Sequence, residues 1–220
     1  MTDKVIPSLL TLPVELIYRI LDNLDIFTIL CSIFNVSTRI NEIVDSYRQH
    51  KTTNTLQSLG NPLDPQTIYH LVNILQHDKK ITRIKLGNSA MGDTGTQYLA
   101  DLLQHNTMII TLDIRYNKIS PQGAQYLANA LPYNTTLRTL YLGYNAISDE
   151  GTQYLANVLH HNTSLTTLNL WGNGISSIGA RHLANALQHN KTLLNLELEY
   201  NKIDGNGARY LERALQYNTV

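Results

Sequence analysis

A unit of 28 residues recurs five times without interruption from Ile81 to Val220, starting at Ile81, Ile109, Leu137, Leu165 and Leu193. A unit this short cannot bury its own apolar face, so each copy must stack on its neighbours and the product is a solenoid. Within a copy the apolar pattern changes period. Leu137, Leu140 and Leu142, and again Leu165, Leu168 and Leu170, show the alternation of a short strand with one buried face. Ala124, Leu127, Ala128 and Leu131, echoed by Ala180, Leu183, Ala184 and Leu187, form the single stripe of a helix. Each copy therefore reads strand, loop, helix. Parallel strands stack at about 4.8 Å, whereas packed helices need about 10 Å. The array must curve, with strands on the concave side and helices on the convex side. The expected fold class is α/β, a horseshoe solenoid.

Two further columns fit that reading. Asn117, Asn145, Asn173 and Asn201 stand at the ninth position, just past each strand, where an amide can satisfy loop backbone groups of adjacent turns. Gly95, Gly123, Gly151, Gly179 and Gly207 stand at the fifteenth, where the helix opens and a missing side chain permits close approach. The pattern LxxLxLxxNxIxxxGaxxLaxaLxxN resembles leucine-rich repeats of the ribonuclease-inhibitor type over Ile81 to Val220. Residues 51–80 resemble a decayed further copy, with Leu56, Asn61, Leu63, Leu71 and Leu75 in phase, and are expected to cap the array. Pro62, Pro65 and Thr67 depart from the pattern there, and Ser89 replaces the asparagine of the first full copy.

Residues 1–50 carry no echo of the repeat. Pro13 is placed to open a helix. Leu12, Leu16, Ile17, Ile20, Leu21 and Leu24 follow at helical spacing, then clusters at Ile26–Phe34 and Val36–Tyr47. Three short helices make a small all-α bundle, too small to stand comfortably alone. The string LPVELIYRILDNLDIFTILCSIFNVSTRI is similar to an F-box, with matches at Leu12, Pro13, Glu15, Leu16, Ile20, Leu21, Leu24 and Val36 and a departure at Ile40, where many members have tryptophan. That resemblance implies docking of a Skp-type adaptor of a cullin-based ubiquitin ligase through Leu12, Pro13, Leu16, Ile20, Leu21, Leu24 and Val36, with the repeats recruiting a protein substrate. The alternative is a helical cap for the solenoid.

Charge and composition exclude several functions. Seventeen basic and seventeen acidic residues cancel, so no overall field favours nucleic acid or an anionic membrane. No apolar run approaches the roughly 18 residues needed to span a bilayer, and Glu15 and Arg19 interrupt the only candidate secretory segment. With a single cysteine, Cys31, the expectation is a cytoplasmic or nuclear protein without disulfides. Asn35, Asn134, Asn162 and Asn190 lie in N-x-S/T triplets, but three of them share one repeat position, so repetition explains them better than glycosylation.

Nothing points to an enzyme, a cofactor or a metal. His77, His105, His161 and His189 occupy equivalent places in different units at helix ends, where imidazole meets the carbonyl end. Equivalent places lie about a helix diameter apart, too far to share an ion. His160 and His161 are adjacent without a carboxylate or thiol at ligand spacing. The expected activity is protein binding along the concave face. Variable positions there carry residue types that anchor interfaces: Arg115, Tyr116, Tyr141, Tyr144, Trp171 and Tyr200, with Glu197 and Glu199 on the last strand. Tyr98, Tyr126, Tyr154 and Tyr210 recur on the helical flank and are expected to pack between helices. Three functions compete: a substrate-recognition subunit of a ubiquitin ligase, an enzyme regulator like ribonuclease inhibitors or GTPase-activating proteins with this repeat, and a scaffold. The chain stops on a repeat boundary at Val220 without a polar cap, which suggests a truncated product or an end used for self-association.

Overall fold

The computed structural model describes residues 11–30, 38–50 and 54–218. Six three-residue strands, β1 (Thr55–Gln57), β2 (Arg83–Lys85), β3 (Thr111–Asp113), β4 (Thr139–Tyr141), β5 (Thr167–Asn169) and β6 (Asn195–Glu197), pair in parallel in chain order. The register advances by one unit per strand, so Leu56, Ile84, Leu112, Leu140, Leu168 and Leu196 form one row. Helices follow each strand: α4 (Pro65–Leu75), α5 (Gly92–His105), α6 (Pro121–Ala130), α7 (Ser148–Leu159), α8 (Ser177–Leu187) and α9 (Gly205–Tyr217). Each packs on the next, and a single core of strand leucines and helix stripes runs between the two layers.

The 54–80 stretch supplies β1 and α4 of this array. Pro65, out of place against the repeat pattern, opens α4 at its first turn, where its missing N–H costs nothing. Asp64 caps that helix by accepting from Thr67 N at 3.0 Å.

Neighbouring copies are stitched by side chains at three levels. Asn145 Oδ1 accepts from Asn117 N (2.9 Å) and Ile119 N (3.1 Å), while its Nδ2 donates to Ile114 O and Leu142 O. Asn117, Asn173 and Asn201 reach back into the preceding copy in the same way. A second column, at the twenty-sixth position, does the same below the helices. Asn134 Nδ2 donates to Leu103 O and Asn106 O, and its Oδ1 accepts from Thr136 N and Leu137 N. Asn134, Asn162 and Asn190 are buried, so these triplets are structural brackets rather than sugar sites. Third, Asp93 accepts from Ser120 N (2.8 Å) and Gly123 N (3.1 Å), and Asp149 repeats this with Ser176 N and Gly179 N one pair later. The fifteenth-position glycine leaves room for that carboxylate. A Cβ on Gly123 would stand 2.5 Å from Asp93 Oδ1.

The helical segment comprises α1 (Val14–Leu21), the short turn α2 (Ile26–Thr28) and α3 (Thr38–His50). Ile17, Leu21, Ile29, Ile40, Ile43, Val44 and Tyr47 form its own small core. Leu30 and Phe27 join the solenoid core instead. At the same seam Arg48 pairs with Asp78, both buried, and Lys80 Nζ donates to Arg48 O at 2.6 Å. Asp78 holds the place of the second-column asparagine, accepting from Lys80 N and Ile81 N. No helix among the described residues is long and apolar enough to cross a membrane.

Candidate partner-binding face

In each copy the fourth and sixth positions point into the core, so the third, fifth and seventh must point to the concave side. The eighth then turns the chain out of the strand. That turn needs a left-handed backbone: Asn88, Tyr116, Tyr144 and Tyr200 have φ between 52° and 58°, and Gly172 has 65°. Asparagine or glycine adopts this region cheaply, whereas tyrosine costs on the order of 1 kcal/mol or more. Three tyrosines nevertheless stand here.

Their rings form a row. Tyr116 and Tyr144 stack with centroids 4.5 Å apart and planes 11° apart. In the next copy the eighth position is Gly172, where a Cβ would meet the Tyr144 ring at 3.1 Å. Trp171, one residue earlier, fills the gap. Its centroid lies 4.8 Å from Tyr144, edge to face, and 5.3 Å from Tyr200. Four rings from four copies are thus contiguous. Tyr116, Tyr144 and Tyr200 are exposed, Tyr200 most at 77%. Trp171 follows β5 rather than lying in it and is half-buried, a correction to the exposed strand position that alternation predicts. Its Nε1–H is buried without a partner.

Beside the row, Arg115 donates to Asp113 through Nε (2.9 Å) and Nη2 (2.6 Å), and its guanidinium carbon lies 5.2 Å from the Tyr141 ring centroid. The opposite charges of Arg115 and buried Asp113 cancel within this ion pair. A hollow of about 380 Å³ opens between Leu59, Gly60, Gly87, Asn88, Asp113, Arg115 and Tyr116. At the other end Glu197 is half-buried and accepts from Asn169 Nδ2 and Asn195 Nδ2, while Glu199 is exposed. Sequence reasoning missed Thr111, Thr139 and Thr167, half-buried at the third position of the same face. An identical residue in successive copies looks structural, which hid them.

The adaptor set divides. Leu16 and Ile20 are exposed on α1 together with Val14, and Pro13 is exposed at its start. Leu12 and Leu24 are half-buried against the bundle core. Leu21 is fully buried in that core and so faces no adaptor, which corrects its assignment to a docking surface. The reason is helical phase: Leu21 lies four residues from Ile17 on the inward stripe. Val36 and Cys31 lie outside the described residues.

On the helical side Tyr69 and Tyr98 meet edge to face, and Tyr98, Tyr126 and Tyr154 pack half-buried against the core. His160 contacts both His161 and His189, with ring centroids 4.4 and 4.3 Å away. Position in the repeat aligned His161 with His189, but the residue that reaches His189 is His160. Partial burial, then the neighbouring His189 and His161, hold the His160 pKa below 6.5. Among the described residues no group of histidine, cysteine, aspartate and glutamate has the geometry to hold a metal.

The family model described as Leucine Rich repeat matches residues 105–128, 133–156, 161–184 and 189–211. No curated protein has a significantly similar sequence. Among solved structures the chain is similar to "Leiomodin-1 Actin-Binding Site 2 (ABS2)", at 21% identity and a TM-score of 0.60, over 67% of this chain and 86% of that one. It is also similar to the tropomodulin C-terminal domain of Caenorhabditis elegans, at 15% identity and a TM-score of 0.50, over 80% and 90% of the two chains. The array between residues 105 and 211 is therefore built of leucine-rich repeats, and its fold is shared with these structures.

Proposed function

We propose that this protein is a non-catalytic recognition module whose concave face grips another protein. The observation that carries the reading is the ring row Tyr116–Tyr144–Trp171–Tyr200, three of whose members occupy a backbone conformation that costs stability. Large aromatics kept in strained, solvent-facing places favour contact with something outside the chain. The test is capture of partners by the full chain compared with Tyr144→Ala and Trp171→Ala. Loss of more than about tenfold in affinity is expected for both, and unchanged affinity in both overturns the face.

The finer reading is a substrate-recognition subunit of a cullin-type ubiquitin ligase. Exposed Leu16 and Ile20, four residues apart on one face of α1 in the F-box-like segment, supply the apolar contact that a Skp-type adaptor would cover. Coexpression with such an adaptor should yield a stable complex that Leu16→Asp and Ile20→Asp abolish. If the wild-type chain fails to retain the adaptor, the ligase reading falls and the recognition reading stands. The neighbour described as an actin-binding site offers actin as the partner instead, and cosedimentation with filaments decides that.

A further inference from the structure

The balanced total charge conceals a gradient along the concave face. At β2 the side chains of the third and fifth positions are Arg83 and Lys85. At β3 Asp113 and Arg115 neutralise each other. β4 and β5 with their following residues contribute Tyr141, Asn169 and Trp171, none of them charged. At β6 and just past it stand Glu197 and Glu199. The face therefore runs from two positive charges through an uncharged aromatic centre to two negative ones. Arg138 and Lys202 fall outside the strand row, and Arg138 commits one Nη1–H to Ser164 O.

From this polarity we infer that the occupant is an extended, proline-containing segment of a partner protein, with carboxylates at one end and basic side chains at the other. Four strand spacings separate β2 from β6, about 19 Å. An extended chain covers that distance with about six residues. Proline suits the centre because a polyproline II segment docks on aromatic rings with little entropy left to lose. Its three-residue turn of about 9.3 Å also matches two strand spacings, about 9.6 Å, so every third residue meets a ring two copies along. A uniformly acidic or basic segment would satisfy one end and be repelled by the other. This inference rests on the recognition reading and specifies its ligand.

The chain carries a single tryptophan, Trp171, within the ring row, so its fluorescence reports occupancy of this face. Three synthetic peptides serve as probes: DEPPYPKR, DEPPYPDE and KRPPYPKR, each blocked at both termini. The expected result is binding of the bipolar peptide about tenfold tighter than either uniform one, with the preference fading as salt is raised. In Glu199→Lys the preference should move toward DEPPYPDE, and further in Glu197→Lys/Glu199→Lys. The single variant leaves the Asn169–Glu197 contact in place and controls for misfolding. Equal affinity for all three peptides, or an unmoved preference in Glu199→Lys, overturns the polarity and leaves the face as a binding surface. Failure of every peptide to perturb Trp171, while captured partners still depend on Tyr144, overturns the extended-segment inference alone.

Discussion

Tyr200 isolates the competition between stability and recognition at the level of one residue. Its ring is largely exposed and its φ is 56°, a value asparagine tolerates better. Tyr200→Asn should leave stability unchanged or raise it by about 0.5–1 kcal/mol, read from urea denaturation, while weakening partner capture. A loss of stability would mean that the ring serves the fold. Gly172 tests the reverse. Gly172→Ala places a methyl group against Tyr144 at a positive φ and should cost about 1–2 kcal/mol. The aromatic residue types were legible in the sequence because they fill the variable positions that stand between the constant ones of each copy. Their joining into one row was not. It depends on Trp171 leaning into the space that Gly172 leaves, a compensation between adjacent residues that no repeat alignment displays.

Each strand–loop–helix unit is closed by groups from the unit beside it. Asn145 makes bonds to both the preceding loop and its own, so Asn145→Ala should cost about 2–4 kcal/mol and lower the denaturation midpoint. The carboxylate caps add a pH dependence. Burial acts to raise the Asp149 pKa, but hydrogen bonds from the Ser176 side chain and the Ser176 and Gly179 amides outweigh it and hold the group below 3.8. Asp204 is held low chiefly by the Ser177 hydroxyl. A depressed carboxylate stabilises the fold above its unfolded pKa, and that contribution is lost as pH falls through the folded value. Stability should therefore begin to fall as pH approaches 3.8 and keep falling below it, and Asp149→Asn should flatten that limb in acid titrations followed by circular dichroism. The ninth-position asparagines could be found by sequence because they follow the strand directly. The second column was legible only as repetition, because N-x-S/T triplets recurring in phase name no bonding partner. Only the bonds from Asn134 to Leu103 and Asn106 reveal its task.

Across the whole molecule the helical segment and the solenoid meet at the buried Arg48–Asp78 pair. Arg48→Met leaves Asp78 buried with only its backbone donors. Limited proteolysis should then cut within residues 1–50 sooner than in wild type, while amides of α6 to α8 keep their exchange protection. Equal loss of protection throughout would show that the two parts unfold as one. This seam was invisible in the sequence, because Asp78 reads as a failed asparagine until its second carboxylate oxygen is seen to serve another helix. The asparagines of both columns share a further property: each reaches toward the unit made before it. Each turn is thus closed by its C-terminal neighbour, so a copy whose follower were deleted would lose both of its asparagine brackets at once.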